Sequence, residues 1–285
     1  MAKRPNLLFL WTDEQRADTL AVYGNRFVRA PHLNALANES IVFRHAYCTQ
    51  TVCTPSRSSV MTGLYPHTNG CLANNIPLCP ETPTIAEMVS DDYRCGYYGK
   101  WHLGDEVVPQ HGFDRWRSIE DNYRQHYSRP EYLALRSDYH RYLVAQGYEP
   151  DRESLGERVF ARRTAARLPE PHTKAAFLGR EAAEFIRRQD GDRPWMLYVN
   201  FLEPHMPFTG PYDDLYPPDE IPVGPHFMRA PAPNASALHR SQAEHYMHST
   251  FEGHDLRTEA GWRTLRARYL GLVTLVDRAV GEILG

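Results

Sequence analysis

Cys53-Thr54-Pro55-Ser56-Arg57 packs a thiol, two hydroxyls and a guanidinium into five residues. Pro55 suits the opening of a helix, where its missing N–H costs nothing. The pattern predicts a helix from Pro55 to Leu64, with Cys53 just before its first turn. Free backbone N–H groups and the helix dipole favour an anion at that spot. The same surroundings activate a cysteine as a thiolate. An anion-binding nucleophile and a cysteine hydrolase therefore both fit the stretch. A thiol buried on a helix that packs through Val60 and Met61 is the structural alternative.

Three further places carry chemistry-bearing side chains. Asp13 and Glu14 directly follow an apolar run, Leu7 to Trp11. Ligands bind at the carboxyl ends of strands in α/β sheets. Two adjacent carboxylates there suit a hard divalent cation, or else a helix cap. Gly99-Lys100-Trp101-His102-Leu103-Gly104 places a lysine and a histidine two apart. On a strand that spacing puts both on one face. His205, in Glu203-Pro204-His205-Met206-Pro207-Phe208, follows a second apolar run, and its flanking prolines favour a fixed loop.

The elements that must position these residues can be read from periodicity. Leu7–Trp11 and Trp195–Asn200 are continuous apolar runs, as expected of strands buried on both faces of a parallel sheet. Another strand is expected around Cys95 to Tyr98. Helical stretches are Pro31–Ala37, Thr84–Val89, Lys174–Arg188 and Trp262–Leu284. In Lys174–Arg188, residues Ala176, Phe177, Ala183, Phe185 and Ile186 share one face. Strands alternating with helices predict a three-layer α/β/α domain with a mostly parallel sheet. Residues 120–172, rich in Tyr, Arg and Glu, and 209–237, rich in Pro and Gly, read as insertions. Such segments either wall a pocket or decorate the surface.

The chain has 285 residues, enough for one large α/β domain or two small ones, with 42% hydrophobic and 24% charged residues. Its formal net charge of -3 offers no basic excess for nucleic acid. Arg158 to Arg163 reads as a solvated helix face. The five cysteines, Cys48, Cys53, Cys71, Cys79 and Cys95, show no CxxC spacing, so neither a zinc site nor a disulfide framework is expected. The apolar run near the N-terminus is short for a signal peptide, and none approaches the ~18 residues of a membrane span. No membrane partner is expected, and the cytoplasm is the default location.

Cys53 to Arg57, Asn6 to Asp13, Gly99 to Gly104 and Pro204 to Pro207 occur in the order found in type I sulfatases, which this chain resembles from residue 5 onward. The resemblance implies an alkaline phosphatase-like fold and hydrolysis of a sulfate ester by S–O cleavage. It implies that a formylglycine-generating enzyme oxidises Cys53 to formylglycine. One hydroxyl of the hydrated aldehyde would attack sulfur, and the other would collapse the sulfated hemiacetal. Arg57 would hold the nucleophile, Lys100 a sulfate oxygen, and His102 would take the nucleophile's proton. His205 would assist the leaving group, and Asn74 would contact substrate, with Asn75 equally available. His67, in Tyr65-Pro66-His67, reads as packing. Asp13, Glu14 and the modified Cys53 would ligate a divalent metal, calcium before magnesium or manganese. Glu14 departs from the family's usual Asp or Gln.

The family's later Asp-His-Gly or Asp-Asn-Gly strand end, which supplies two further metal ligands, occurs nowhere in the sequence. Calcium takes about 6–8 oxygen ligands, and the residues above supply about half. The expectation is thus an N-terminal catalytic portion with the C-terminal part absent, acting on a small-molecule or carbohydrate sulfate ester. The alternatives are a phosphonate monoester or phosphodiester hydrolase of the same superfamily, in which other residues replace the Lys-x-His pair, and a catalytically inactive relative.

Overall fold

The computed structural model describes residues 4–154 and 157–285. In chain order, β1 (Leu7–Trp11) leads to α1 (Pro31–Asn38), α2 (Cys53–Thr62), α3 (Pro66–Asn69) and α4 (Ile85–Met88). Next come β2 (Arg94–Gly99), β3 (Arg115–Arg117), α5 (Asp138–Ala145), β4 (Asp151–Ser154), β5 (Glu157–Phe160) and α6 (Arg162–Ala166). Then follow α7 (Lys174–Arg187), β6 (Trp195–Asn200), α8 (Ala237–Met247), β7 (Thr250–Phe251), β8 (His254–Asp255) and α9 (Glu259–Leu284).

The central sheet has four parallel strands in the order β1-β6-β2-β3. β6 is buried along its whole length. Its Leu197 and Val199, with Tyr98 of β2, pack against α7 and α9. Met196 and Tyr198, with Cys95 and Tyr97 of β2, face Met61 of α2 and Ala86 of α4. Helices thus cover both faces, which is why a strand must be apolar at every position. Burying each such side chain stabilises the fold by roughly 1.5–3 kcal/mol. β1 departs from the sequence expectation. It lies at the sheet edge, half-buried, with Phe9 37% exposed, because only β6 pairs with it among the described residues.

α7 and α9 meet closely at Gly179, where a Cβ would sit 3.2 Å from the Ala279 carbonyl oxygen. Thr173 and Thr258 cap these helices by accepting the Ala176 and Gly261 N–H groups. Thr84 and Glu87 form a reciprocal capping box on α4, which fixes its start one residue later than the apolar pattern suggests. Among the described residues no helix is long and apolar enough to cross a membrane. All five cysteines are free.

The Arg158 to Arg163 stretch is not one helix face. It runs from β5 into α6, because β5 pairs antiparallel with β4. Arg162 is mostly buried and pairs with Glu120.

Candidate active site

Asp13, Lys100 and His205 lie just beyond the carboxyl ends of β1, β2 and β6, three neighbouring strands of the sheet. Gly99 makes this convergence possible. Its φ is 120°, and a Cβ there would lie 2.0 Å from the Asn200 carbonyl oxygen, so only glycine lets β2 end against β6. The chain then leaves the strand. Lys100 and His102 therefore stand in a loop and not on a strand face, and His102 adopts a left-handed φ of 57°.

Asp13 is the electrostatic centre. Its Oδ2 lies 2.6 Å from Lys100 Nζ and 3.3 Å from Arg57 Nη2. Its Oδ1 faces Cys53 Sγ at 4.0 Å, and Lys100 Nζ is 3.6 Å from the same sulfur. Burial pushes the Asp13 carboxyl up, but the Arg57 and Lys100 cations outweigh it and hold the group below its ordinary range. Burial likewise works against charge on Lys100 and Arg57, and Asp13 reverses it, leaving both raised. Two cations against one carboxylate leave positive charge beside Cys53, which suits an anionic group.

Cys53 is the first residue of α2. Fewer free N–H groups surround it than the helix start promises. Asn74 Oδ1 accepts the Thr54 N–H at 3.0 Å, and Val52 accepts that of Ser56. Pro55 has none. Positive charge at Cys53 therefore comes mainly from Lys100 and Arg57. Arg57 is held in turn, donating from Nη1 to the Lys100 carbonyl at 2.6 Å and lying over the Trp11 ring.

His102 is buried, stacked on Tyr123 with ring centroids 3.9 Å apart. Its Nε2 is 2.8 Å from Asn75 Oδ1. With that oxygen accepting, Nε2 carries the proton and Nδ1 remains a buried acceptor without a partner. Burial first, then the Lys100 and Arg57 charges, lower the ring's pKa to about 3. His205 has the opposite tautomer. Its Nδ1 lies 2.7 Å from the Met206 carbonyl, which makes Nδ1 the donor and frees Nε2, 3.5 Å from Glu14 Oε1.

Ligand atoms of Asp13, Cys53 and His205 lie within 4.8 Å of one another. Glu14 does not join that group. Its backbone has a left-handed φ of 62°, and its carboxylate meets the imidazole of His205. Asp13 Oδ2 is engaged by two cations, so Oδ1 is the oxygen free for a metal. An oxygen-bearing form of Cys53 fits a hard cation better than a thiol does. Asp13 and such a Cys53 fit one side of a hard ion's oxygen shell, which asks for about 6–8 ligands, whereas an imidazole suits softer metals.

A family profile described as Sulfatase matches residues 5–285. The chain belongs to the sulfatase family. It is 28% identical over 260 residues to an ulvan-active sulfatase of Formosa agariphila, covering 87% of this chain and 44% of that protein. It is 30% identical over 204 residues to an N-acetylglucosamine-6-O-sulfatase of Bacteroides thetaiotaomicron, covering 71% of this chain and 31% of that one. The fold is that of the phosphonate monoester hydrolase of Agrobacterium radiobacter, with a TM-score of 0.69 at 23% identity over 98% of this chain and 58% of that one. The chain thus spans less than two thirds of each of these proteins.

Several residues of this sulfatase-family site escape a reading by motif. Tyr123, in the 120–172 segment, covers the His102 ring. Glu120 is fully buried and pairs with Arg162 and Lys174. Glu106 accepts the backbone N–H groups of Trp101 and His102. Asn200, at the end of β6, has a buried amide without a partner. Only the Glu106 position follows closely on a motif, and a lone Glu after Gly104-Asp105 carries no signal of burial. His67 is exposed and stacks on Tyr65.

Proposed function

We propose that this chain is the N-terminal catalytic portion of a sulfuric ester hydrolase whose nucleophile is Cys53 converted to formylglycine. One observation supports this above the others: Cys53 Sγ sits at the head of α2 beside Lys100 Nζ (3.6 Å) and Asp13 Oδ1 (4.0 Å). The hydrated aldehyde supplies a hydroxyl nucleophile, and a formylglycine-generating enzyme is the partner that installs it. Lys100 neutralises a sulfate oxygen as a point charge. Arg57 holds Lys100 and Asp13 in place and adds charge for the anion. His102, neutral with Nδ1 bare, accepts a proton from the nucleophile's hydroxyls. His205 gives a proton to the leaving oxygen, and Glu14 supports the imidazolium this requires. Asn74 and Asn75 line the approach, the first through α2 and the second through His102.

Asp13 and the oxidised Cys53 are the residues that would hold a divalent cation through oxygen, while His205, as the proton donor, and Glu14 beside it stand outside that shell. Calcium is the first choice and magnesium or manganese the next. Bound there, it would polarise a sulfate oxygen as a Lewis acid. Residues 120–172 and 209–237 wall the pocket in this reading. The substrate class is a sulfated sugar, following the sulfated carbohydrates named for the two curated relatives. Lys100 and His102 favour sulfate over a phosphonate ester.

The test is turnover of an aryl sulfate by the full protein with calcium present. Cys53→Ala is expected to lower kcat by more than the ~10²–10⁴-fold of a lost proton-transfer group. A Cys53→Ala variant that turns over at the wild-type rate would refute the assignment.

A further inference from the structure

We propose that Glu106 is the positioning residue of the Lys100–His102 segment: its buried carboxylate grips two consecutive backbone N–H groups and so fixes where both side chains stand. Glu106 is fully buried. Oε2 accepts the Trp101 N–H at 3.0 Å, and Oε1 accepts the His102 N–H. Its own carbonyl accepts from Trp116 Nε1 at 2.8 Å, which ties the residue to β3.

The segment needs such a grip. His102 holds a left-handed φ of 57°, a conformation that a non-glycine residue keeps only when its surroundings over-determine it. The carbonyls are fixed from outside. Lys100 O accepts from Arg57 Nη1 and the Tyr97 hydroxyl, and His102 O accepts from Thr54 Oγ1 at 2.8 Å. The N–H groups of residues 101 and 102 are oriented by Glu106. A carboxylate accepts from both. A glutamine offers one acceptor and turns an N–H against the second N–H.

Arg57 of α2, Tyr97 of β2, and Glu120, Tyr123 and Tyr127 of the covering segment face this carboxylate. Burial pushes it up to about 7, against the two backbone N–H groups that favour the ionised form. Above that pH both N–H groups are held; below it the protonated acid holds them less well.

The inference rests on the catalytic reading of Lys100 and His102, so its test does not require turnover. In the full chain with 15N-labelled histidine, the His102 ring nitrogens are followed by NMR from about pH 5 to pH 9 and assigned with His102→Gln. The His102 ring itself stays neutral over this range, since burial holds its pKa near 3. Its signals are expected to shift with a midpoint near 7 as Glu106 ionises. In Glu106→Gln they are expected to start displaced and lose that inflection. Identical, flat His102 signals in both proteins would overturn the proposal, even if the variant melts earlier, and would leave Glu106 a core acceptor. Should Glu106→Gln not fold, Glu106→Asp, which keeps the charge and shortens the reach, is read the same way: displaced His102 signals support the role and unmoved ones refute it.

Discussion

Charge at Asp13 is shared between two side chains that approach from different elements, Lys100 behind β2 and Arg57 on α2. Neither cation would be tolerated in so buried a place alone. The same cations and the same burial keep His102 neutral, and that has a consequence for stability. The folded pKa of about 3 lies below the unfolded value near 6.5. The unfolded chain therefore takes up a proton that the folded chain refuses. The stability linked to His102 is fully present above about pH 6.5 and is lost as pH falls toward 3. His102→Gln is expected to flatten this part of the stability profile, measured by urea unfolding at a series of pH values. An unchanged slope would show that the ring is protonated in the fold. At this scale Cys53, Arg57, Lys100, His102, His205 and Asp13 are legible in the sequence because each stands in a short, distinctive stretch. The pairing of Glu14 with His205 and the hydrogen bonds of Asn74 to α2 and of Asn75 to His102 were not legible, since contacts between residues distant in sequence are set by the fold.

The 120–172 segment brings Glu120 and Tyr123 to the site, and α6 and α7 bring Arg162 and Lys174 to Glu120. Burial opposes the Glu120 charge, yet Arg162 and Lys174 prevail and hold the carboxyl far below its usual range. Removing it strands two buried cations. Glu120→Ala is expected to destabilise the chain by about 3–5 kcal/mol in chemical denaturation. A loss under about 1 kcal/mol would mean the cations find solvent in the fold. Nothing in the sequence marks this cluster, because its three members are far apart in sequence and lie in polar stretches. β1, β2, β6, α7 and α9 were legible as elements because their apolar content is strong, although the buried face of α7 runs through Ala175, Leu178 and Ala182 and leaves out Ala176. β3, the β4–β5 pair and α8 were not. Short strands of mixed polarity such as Arg115–Arg117 are fixed by the sheet they join and not by their own residues.

At the scale of the molecule, β1 leaves one edge of the sheet unpaired among the described residues. Large apolar side chains are also exposed between α1 and α2, with Ile41 at 85%, Phe43 at 70% and Tyr47 at 90%. Open edges and apolar patches of this kind promote association. The 285-residue chain is expected to self-associate with rising concentration, as read by sedimentation velocity, and Phe43→Lys with Tyr47→Lys to weaken it. A monodisperse monomer at every concentration would contradict this. The parallel α/β class was readable from alternating strands and helices. That β1 forms the edge was not, since Leu7–Trp11 is as apolar as an interior strand.

The central claim is that Cys53 becomes the nucleophile, and mass spectrometry of the Cys53 peptide, taken from protein isolated from its own organism, tests it most directly. The account predicts formylglycine at position 53. An unmodified cysteine in all of the protein would contradict it.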